Sequence, residues 1–280
     1  MGLVFLGEAE LVFLGTGGGR FITITQKRQT GGLRILHPVD IQLDPGPGAI
    51  VYANRARLDP SKTRAVMVSH CHLDHYGDAE VFIEAMTGGM IRKRGLLVAP
   101  RSVIKGNEIC DPCISRYHQS MPERIVEVRA GDQVEVEQLR LIATRAQHSD
   151  PDTVGFRISL PSGDVGYTSD TEYFEGLGKQ YQGVRLLILC VLRPRGLPWK
   201  GHLSSGDAEK IVKEAEPEVS VITDFGVRMV YAGPSREAKT IENNTGIRTI
   251  AAADNMRVRI GKEISFESES EQPSLDRFTR

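Results

Sequence analysis

The sequence predicts an α/β domain. Short β-branched and apolar runs recur along the chain, stretches of helical period lie between them, and Gly, Pro, Asn, Asp or Ser marks most junctions. In chain order, strands are expected at Leu11–Leu14, Arg34–Leu43, Ala65–Ser69, Leu96–Ala99, Ile125–Val128 and Leu139–Thr144. Val154–Leu160 and Asp164–Thr168 follow, separated by a Pro161-Ser162-Gly163 turn, and then Leu186–Leu192 and Val219–Thr223. A last pair, Arg248–Ala251 and Arg257–Ile260, is expected to turn at Asp254-Asn255. Helices are expected at Ala79–Met86, Asp207–Ala215 and Ser235–Asn243, with Ser204 and Ser205 available as caps for the second.

Composition fits a soluble globular chain. Its 280 residues suffice for one large domain or two small ones, and 40% hydrophobic with 25% charged residues is ordinary for a packed core. No apolar run approaches the roughly 20 residues of a membrane span, so no membrane partner is expected. The N-terminus lacks the basic segment and small-residue cleavage site of a secretory signal. With only four cysteines, a reducing compartment is expected, the cytoplasm by default. Cys110-Asp111-Pro112-Cys113 is read as structural or as a loose disulfide. A zinc there would need two further ligands, and His118 supplies at most one.

Three of the seven histidines fall in His70-Cys71-His72-Leu73-Asp74-His75, at the end of the buried strand Ala65–Ser69. In extended chain His70 and His72 point to one side and Cys71 to the core, while Asp74 and His75 approach the same space from the following turn. Imidazoles and a carboxylate converging in this way suit a borderline divalent cation such as zinc. A solvated polar loop would explain one histidine there, not three.

The pattern His-x-His-x-Asp-His after a strand resembles the signature of the metallo-β-lactamase superfamily, and the order of later motifs resembles its tRNase Z and phosphodiesterase branch. His148 closes the strand Leu139–Thr144, Asp170 closes Asp164–Thr168, and His202 opens Gly201-His202-Leu203-Ser204-Ser205. The resemblance runs from about Leu11 to Ile260. It implies a four-layer αββα sandwich, in one domain over residues 1–265; the polar, acidic composition of 266–280 reads as a flexible tail. It also implies a first metal site from His70, His72, His148 and Asp170, and a second from Asp74, His75, Asp170 and Asp224.

Asp224 is the departure. In Val221-Ile222-Thr223-Asp224-Phe225-Gly226 it stands where that branch carries a histidine. A carboxylate binds zinc but also suits manganese or iron, so the expected cofactors are two divalent ions, zinc first, with manganese or iron admissible at the second site. The other reading is that Asp224 merely caps the next turn. Asp44, in Asp44-Pro45-Gly46-Pro47-Gly48, matches an early Asp motif that would orient a metal-bound histidine, or else simply forms a turn.

The repeated Leu-Val-Phe-Leu-Gly at 3–7 and 11–15 is unusual. The second copy leads into Thr16-Gly17-Gly18-Gly19 and matches the family's first strand better; the first is a hairpin partner or an alternative start. The glycine-rich segment lacks a P-loop ending and any following helix, and reads as a tight turn near the metal cleft.

The implied chemistry is hydrolysis by a hydroxide shared between two metals, with zinc lowering the pKa of bound water to about 7. Asp74 or Asp170 would hold that hydroxide. His202 would protonate the leaving oxygen, unless it is only the residue before a helix. His148 and Asp170 are too close in sequence to enclose an RNA-binding arm, and a net charge of −1 gives no global pull on a polyanion. Local basic groups stand at Arg92-Lys93-Arg94 and at Arg193, Arg195 and Lys200 near His202; the second set either clamps a phosphate beside the metals or is a solvated surface patch. A small-molecule or short nucleotide-type phosphodiester is therefore the expected substrate, and a homodimer is suggested by resemblance alone. Carboxylic ester, lactone or lactam hydrolysis is the alternative. An iron oxidoreductase and a non-catalytic metal-binding protein are readings of other classes.

Overall fold

The computed structural model describes residues 8–267. One sheet has eight strands in the order β15-β14-β1-β2-β3-β4-β5-β6. They are β1 (Ala9–Phe13), β2 (Leu33–His37), β3 (Ile41–Leu43), β4 (Ala65–Met67), β5 (Leu96–Ala99), β6 (Arg124–Glu127), β14 (Arg257–Ile260) and β15 (Ile264–Glu267). The other sheet has seven, in the order β13-β12-β11-β10-β9-β8-β7. These are β7 (Gln133–Val136), β8 (Leu139–Arg145), β9 (Val154–Ser159), β10 (Val165–Tyr167), β11 (Leu186–Cys190), β12 (Val219–Thr223) and β13 (Arg248–Ala251). In each sheet four consecutive strands are parallel, β3 to β6 and β10 to β13, and the remaining pairings are antiparallel.

Nine α-helical segments accompany the strands among the described residues: α1 (Arg20–Thr25), α2 (Ala49–Arg55), α3 (Leu73–Tyr76), α4 (Ala79–Met86), α5 (Arg101–Lys105), α6 (Arg116–Gln119), α7 (Ser205–Ala215), α8 (Val227–Ala232) and α9 (Pro234–Thr245). None is long and apolar enough to cross a membrane.

Strand alternation builds three apolar layers. Leu11, Phe13 and Met67 of the first sheet meet Phe156, Ile188 and Val221 of the second between the sheets. The intervening residues Val12, Val66 and Leu97 point outward onto Ala53 of α2 and Phe82, Ile83 and Met86 of α4. On the far side Leu187, Leu189 and Ile222 pack on Ile211 and Val212 of α7 and Ile241 of α9. Strands buried on both faces read as continuous apolar runs, which is why they were legible. The outcome is the α/β sandwich of four layers. Phe82 is fully buried in the outer layer. Phe82→Ala is expected to lower the unfolding free energy by about 3–5 kcal/mol, read as a lower urea midpoint at unchanged slope.

Several expectations need correction. Arg34–Leu43 is two antiparallel strands rather than one, broken where Pro38 offers no N–H to a ladder and Asp40 turns to pair with Arg34. Arg248–Ala251 and Arg257–Ile260 do not form a hairpin: β13 lies in one sheet and β14 in the other. Asp254 pins that crossover, accepting hydrogen bonds from the N–H and hydroxyl of Thr16 and the N–H of Gln29. A short helix, α1, does follow the glycine-rich turn. β15 runs past the expected domain boundary, with Phe266 paired to Val258. The first Leu-Val-Phe-Leu-Gly copy and the rest of the expected tail lie outside the described residues.

Candidate metal centre

The parallel strands of both sheets deliver their C-terminal ends to one place, as α/β folds generally do at their binding sites. His70 and His72 follow β4, and Asp74 and His75 ride on α3. His148 follows β8, Asp170 follows β10 and Asp224 follows β12. Two donor groups result, each with its ligand atoms within 4.8 Å of one another: His70, His72, His148 and Asp170, then Asp74, His75 and Asp224. Asp170 sits between them. Its Oδ2 lies 3.9 Å from His70 Nε2, 3.7 Å from His148 Nε2 and 3.7 Å from His75 Nε2. All seven residues that the sequence assigned to metal are brought together.

Hydrogen bonds behind the histidines fix which nitrogen faces inward. His148 Nδ1 lies 2.6 Å from the Gly201 carbonyl, which only accepts, so Nε2 carries the lone pair toward the cluster. His75 Nδ1 lies 2.9 Å from Asp44 Oδ2, with the same consequence. Ser69 Oγ gives its single proton to Asp44 Oδ2 at 2.7 Å, and therefore accepts from His70 Nδ1 at 3.0 Å. His70 Nε2 and His148 Nε2 then stand 3.1 and 2.9 Å from His72 Nδ1, three ring nitrogens converging on one point. Burial holds these three rings toward their neutral form, His72 down to about 4.

The second group has fewer protein partners. His75 Nε2 and Asp224 Oδ2 are buried with no hydrogen bond. Burial and the neighbouring Asp170 carboxylate push the Asp224 carboxyl well above the usual range. A buried carboxylate facing another carboxylate and a bare imidazole nitrogen is unfavourable alone and suits a cation between them. Asp224 caps no helix: α8 starts at Val227, and its N-cap position is Gly226, with no side-chain cap. Asp44, Ser169 and Asp224 all have left-handed φ, 50°, 56° and 61°, at strand ends where backbone strain is held in place by the surrounding contacts.

Asp44 is 1% exposed and accepts from four donors: the Ser69 N–H and hydroxyl, His75 and the Tyr167 hydroxyl. The orienting role is the one it holds. The glycine-rich turn is structural to both acids: the Gly19 N–H donates to Asp74 Oδ2 at 2.6 Å, and a Cβ on Gly18 would fall 2.0 Å from Asp224 Oδ1. His202 Nδ1 lies 3.3 Å from Asp170 Oδ2, and although burial opposes charge on this ring, Asp170 pulls its pKa up. Arg195 is engaged with Glu209, while Arg193 stacks on the Trp199 ring at 4.7 Å and Lys200 is exposed. Arg94 bonds the carbonyls of Ser61 and Thr63 before β4, at the end opposite the site. All four cysteines are free, and Cys71 is buried as expected.

A family model described as "Beta-lactamase superfamily domain" matches residues 40–225, from before the His70 motif through Asp224. The chain belongs to the β-lactamase superfamily. It is a member of a metal-dependent hydrolase fold family, with donor clusters able to bind metal. Over 256 residues it is 42% identical to the uncharacterized protein MJ1374 of Methanocaldococcus jannaschii, covering 90% of this chain and 96% of that one. A ribonuclease Z of Methanopyrus kandleri is 26% identical over 219 residues, 75% of this chain and 71% of its own. The metallo-β-lactamase fold protein YhfI from Bacillus subtilis matches with a TM-score of 0.75 at 16% identity, covering 90% and 99% of the two chains. A diphosphatase from the PhnP family matches at 0.65 and 16%, covering 90% and 97%. These two share the superfamily fold.

Proposed function

We propose that this superfamily member hydrolyses a compact phosphodiester, with zinc at the first cluster and a divalent cation at the second. The observation that supports it most is Asp170 Oδ2, placed between two donor sets, the second of which leaves His75 Nε2 and Asp224 Oδ2 buried without a hydrogen bond. Cations bound there would supply hydroxide near neutral pH and offset charge on phosphoryl oxygens. A ribonuclease Z and a diphosphatase among its relatives support phosphorus chemistry. A small substrate is supported by the short β9–β10 hairpin, where that branch would carry an arm. The three carboxylates of the second cluster admit manganese as well as zinc.

The chain's own groups divide the work. Asp74, steadied by the Gly19 N–H, leaves its other oxygen to orient an attacking water. His202 directs Nδ1 at Asp170, so Nε2 is the atom free to give a proton to the leaving oxygen. Arg193 and Lys200 flank that side and can meet phosphate oxygens, whereas Arg195 is already paired.

Metal content of the purified protein, measured alongside cleavage of bis(p-nitrophenyl) phosphate with added zinc, manganese or iron, tests the reading. Two metals per chain and metal-dependent cleavage are expected. One metal or none, with no cleavage under any addition, overturns it, and iron with oxygen uptake would replace it by an oxidoreductase. His202→Ala should retain both metals and lose about 10²–10⁴-fold in kcat. Unchanged turnover would remove His202 from the mechanism.

A further inference from the structure

We propose that Cys190 supplies a thiolate to the cation of the second cluster, making it a zinc site of imidazole, carboxylate and sulfur donors. This rests on the reading of the clusters as cation sites and adds a donor which that reading leaves out. β10, β11 and β12 are adjacent parallel strands, and their ends present Asp170, Cys190 and Asp224 side by side, with Cys190 in register with Thr223. A carboxylate oxygen of Asp170, the Cys190 sulfur and a carboxylate oxygen of Asp224 all lie within 4.8 Å of one another. Cys190 is 2% exposed.

A cavity of about 30 Å³ reaches Cys190 and Asp224, walled also by Asp44, Asp74, His75 and Tyr167. That is room for one small occupant. His75 Nε2 and Asp224 Oδ2 meet no protein partner there. Two further polar groups of the wall are committed. Asp44 accepts four hydrogen bonds, and Tyr167 spends its hydroxyl proton on Asp44 at 2.7 Å. The Cys190 thiol has one weak contact, to the Tyr167 oxygen at 3.6 Å. It is the wall's uncommitted soft donor.

Charge and softness point the same way. Asp74, Asp170 and Asp224 supply three negative charges to two divalent cations, so a thiolate can join them with the ensemble still close to neutral. A thiolate also turns a carboxylate-rich site from manganese toward zinc. On binding, the sulfur–metal bond forms as the thiol proton leaves to solvent.

Cobalt(II) substitution tests this without reference to turnover. Protein loaded with two cobalt ions should show a sulfur-to-cobalt charge-transfer band in the near ultraviolet. Cys190→Ser should lose that band while keeping the visible cobalt bands of the histidine-rich cluster and an unchanged circular dichroism spectrum. Its second-site affinity should fall by more than the roughly 10–100-fold that loss of an outer hydrogen-bond partner costs. The triple variant Cys71→Ser, Cys110→Ser, Cys113→Ser should retain the band. Two bound cobalt ions without the band, or a band that survives in Cys190→Ser, overturns the assignment of Cys190 alone. No bound cobalt overturns the cation reading of the clusters, and this proposal with it.

Discussion

Stripping divalent cations with a chelator is expected to lower the melting temperature by roughly 8–16 °C, reversibly on restoring zinc. A ligand present at about 1,000 times its dissociation constant stabilises the folded state by about 4 kcal/mol, and in a domain of this size each kcal/mol moves the midpoint by about 2–4 °C. The sign follows from the site itself. Without a cation, Asp170 and Asp224 face each other in a buried setting, and burial with that repulsion already drives Asp224 toward protonation. Calorimetry with and without chelator measures the effect. An unchanged midpoint would mean that the clusters hold no tightly bound metal.

Asp44→Asn is expected to cost about 2–4 kcal/mol of stability and to weaken the second cation by about 10–100-fold, with the first cluster less affected. Four donors converge on the Asp44 carboxylate, and an amide offers one oxygen and two further donors in its place. At least one buried donor then meets another donor. His75 also loses the acceptor that fixes its tautomer. Urea unfolding and a metal titration on the same variant separate the two effects. Equal loss at both clusters would indicate collapse of the whole site rather than misorientation of His75.

The donor set was legible because its residue types are rare and sit at strand ends. Three histidines in six residues cannot be accounted for by a packed core, and His148, Asp170 and Asp224 each close an apolar run. Ser69 and Tyr167 were not legible. Both are polar residues in or beside buried strands, and what defines their role is contact across the two sheets: Tyr167 meets Asp44 from 123 residues away. Local signals also could not say which sheet a strand joins. Asp254-Asn255 carries the same turn chemistry whether it closes a hairpin or crosses between layers. Gln133–Val136 was passed over because four alternating residues without a flanking apolar run fall below what periodicity resolves. The four layers themselves came from the family resemblance, since strand pairing is set by distant partners.

The return of β14 and β15 to the first sheet bears on how the chain is made. β1 pairs with β2 on one side and with β14 on the other, and all five of its residues are buried. On the ribosome, β1 and β2 emerge long before β14, which lies far along the chain from them. At about 5–20 residues per second, the outer edge of an apolar strand would wait roughly 10–50 s for its neighbour. An unpaired apolar edge is a template for another chain. Truncation before Arg257 would leave that edge open permanently, so β14 and β15 close an apolar edge although they contribute no residue to the metal centre.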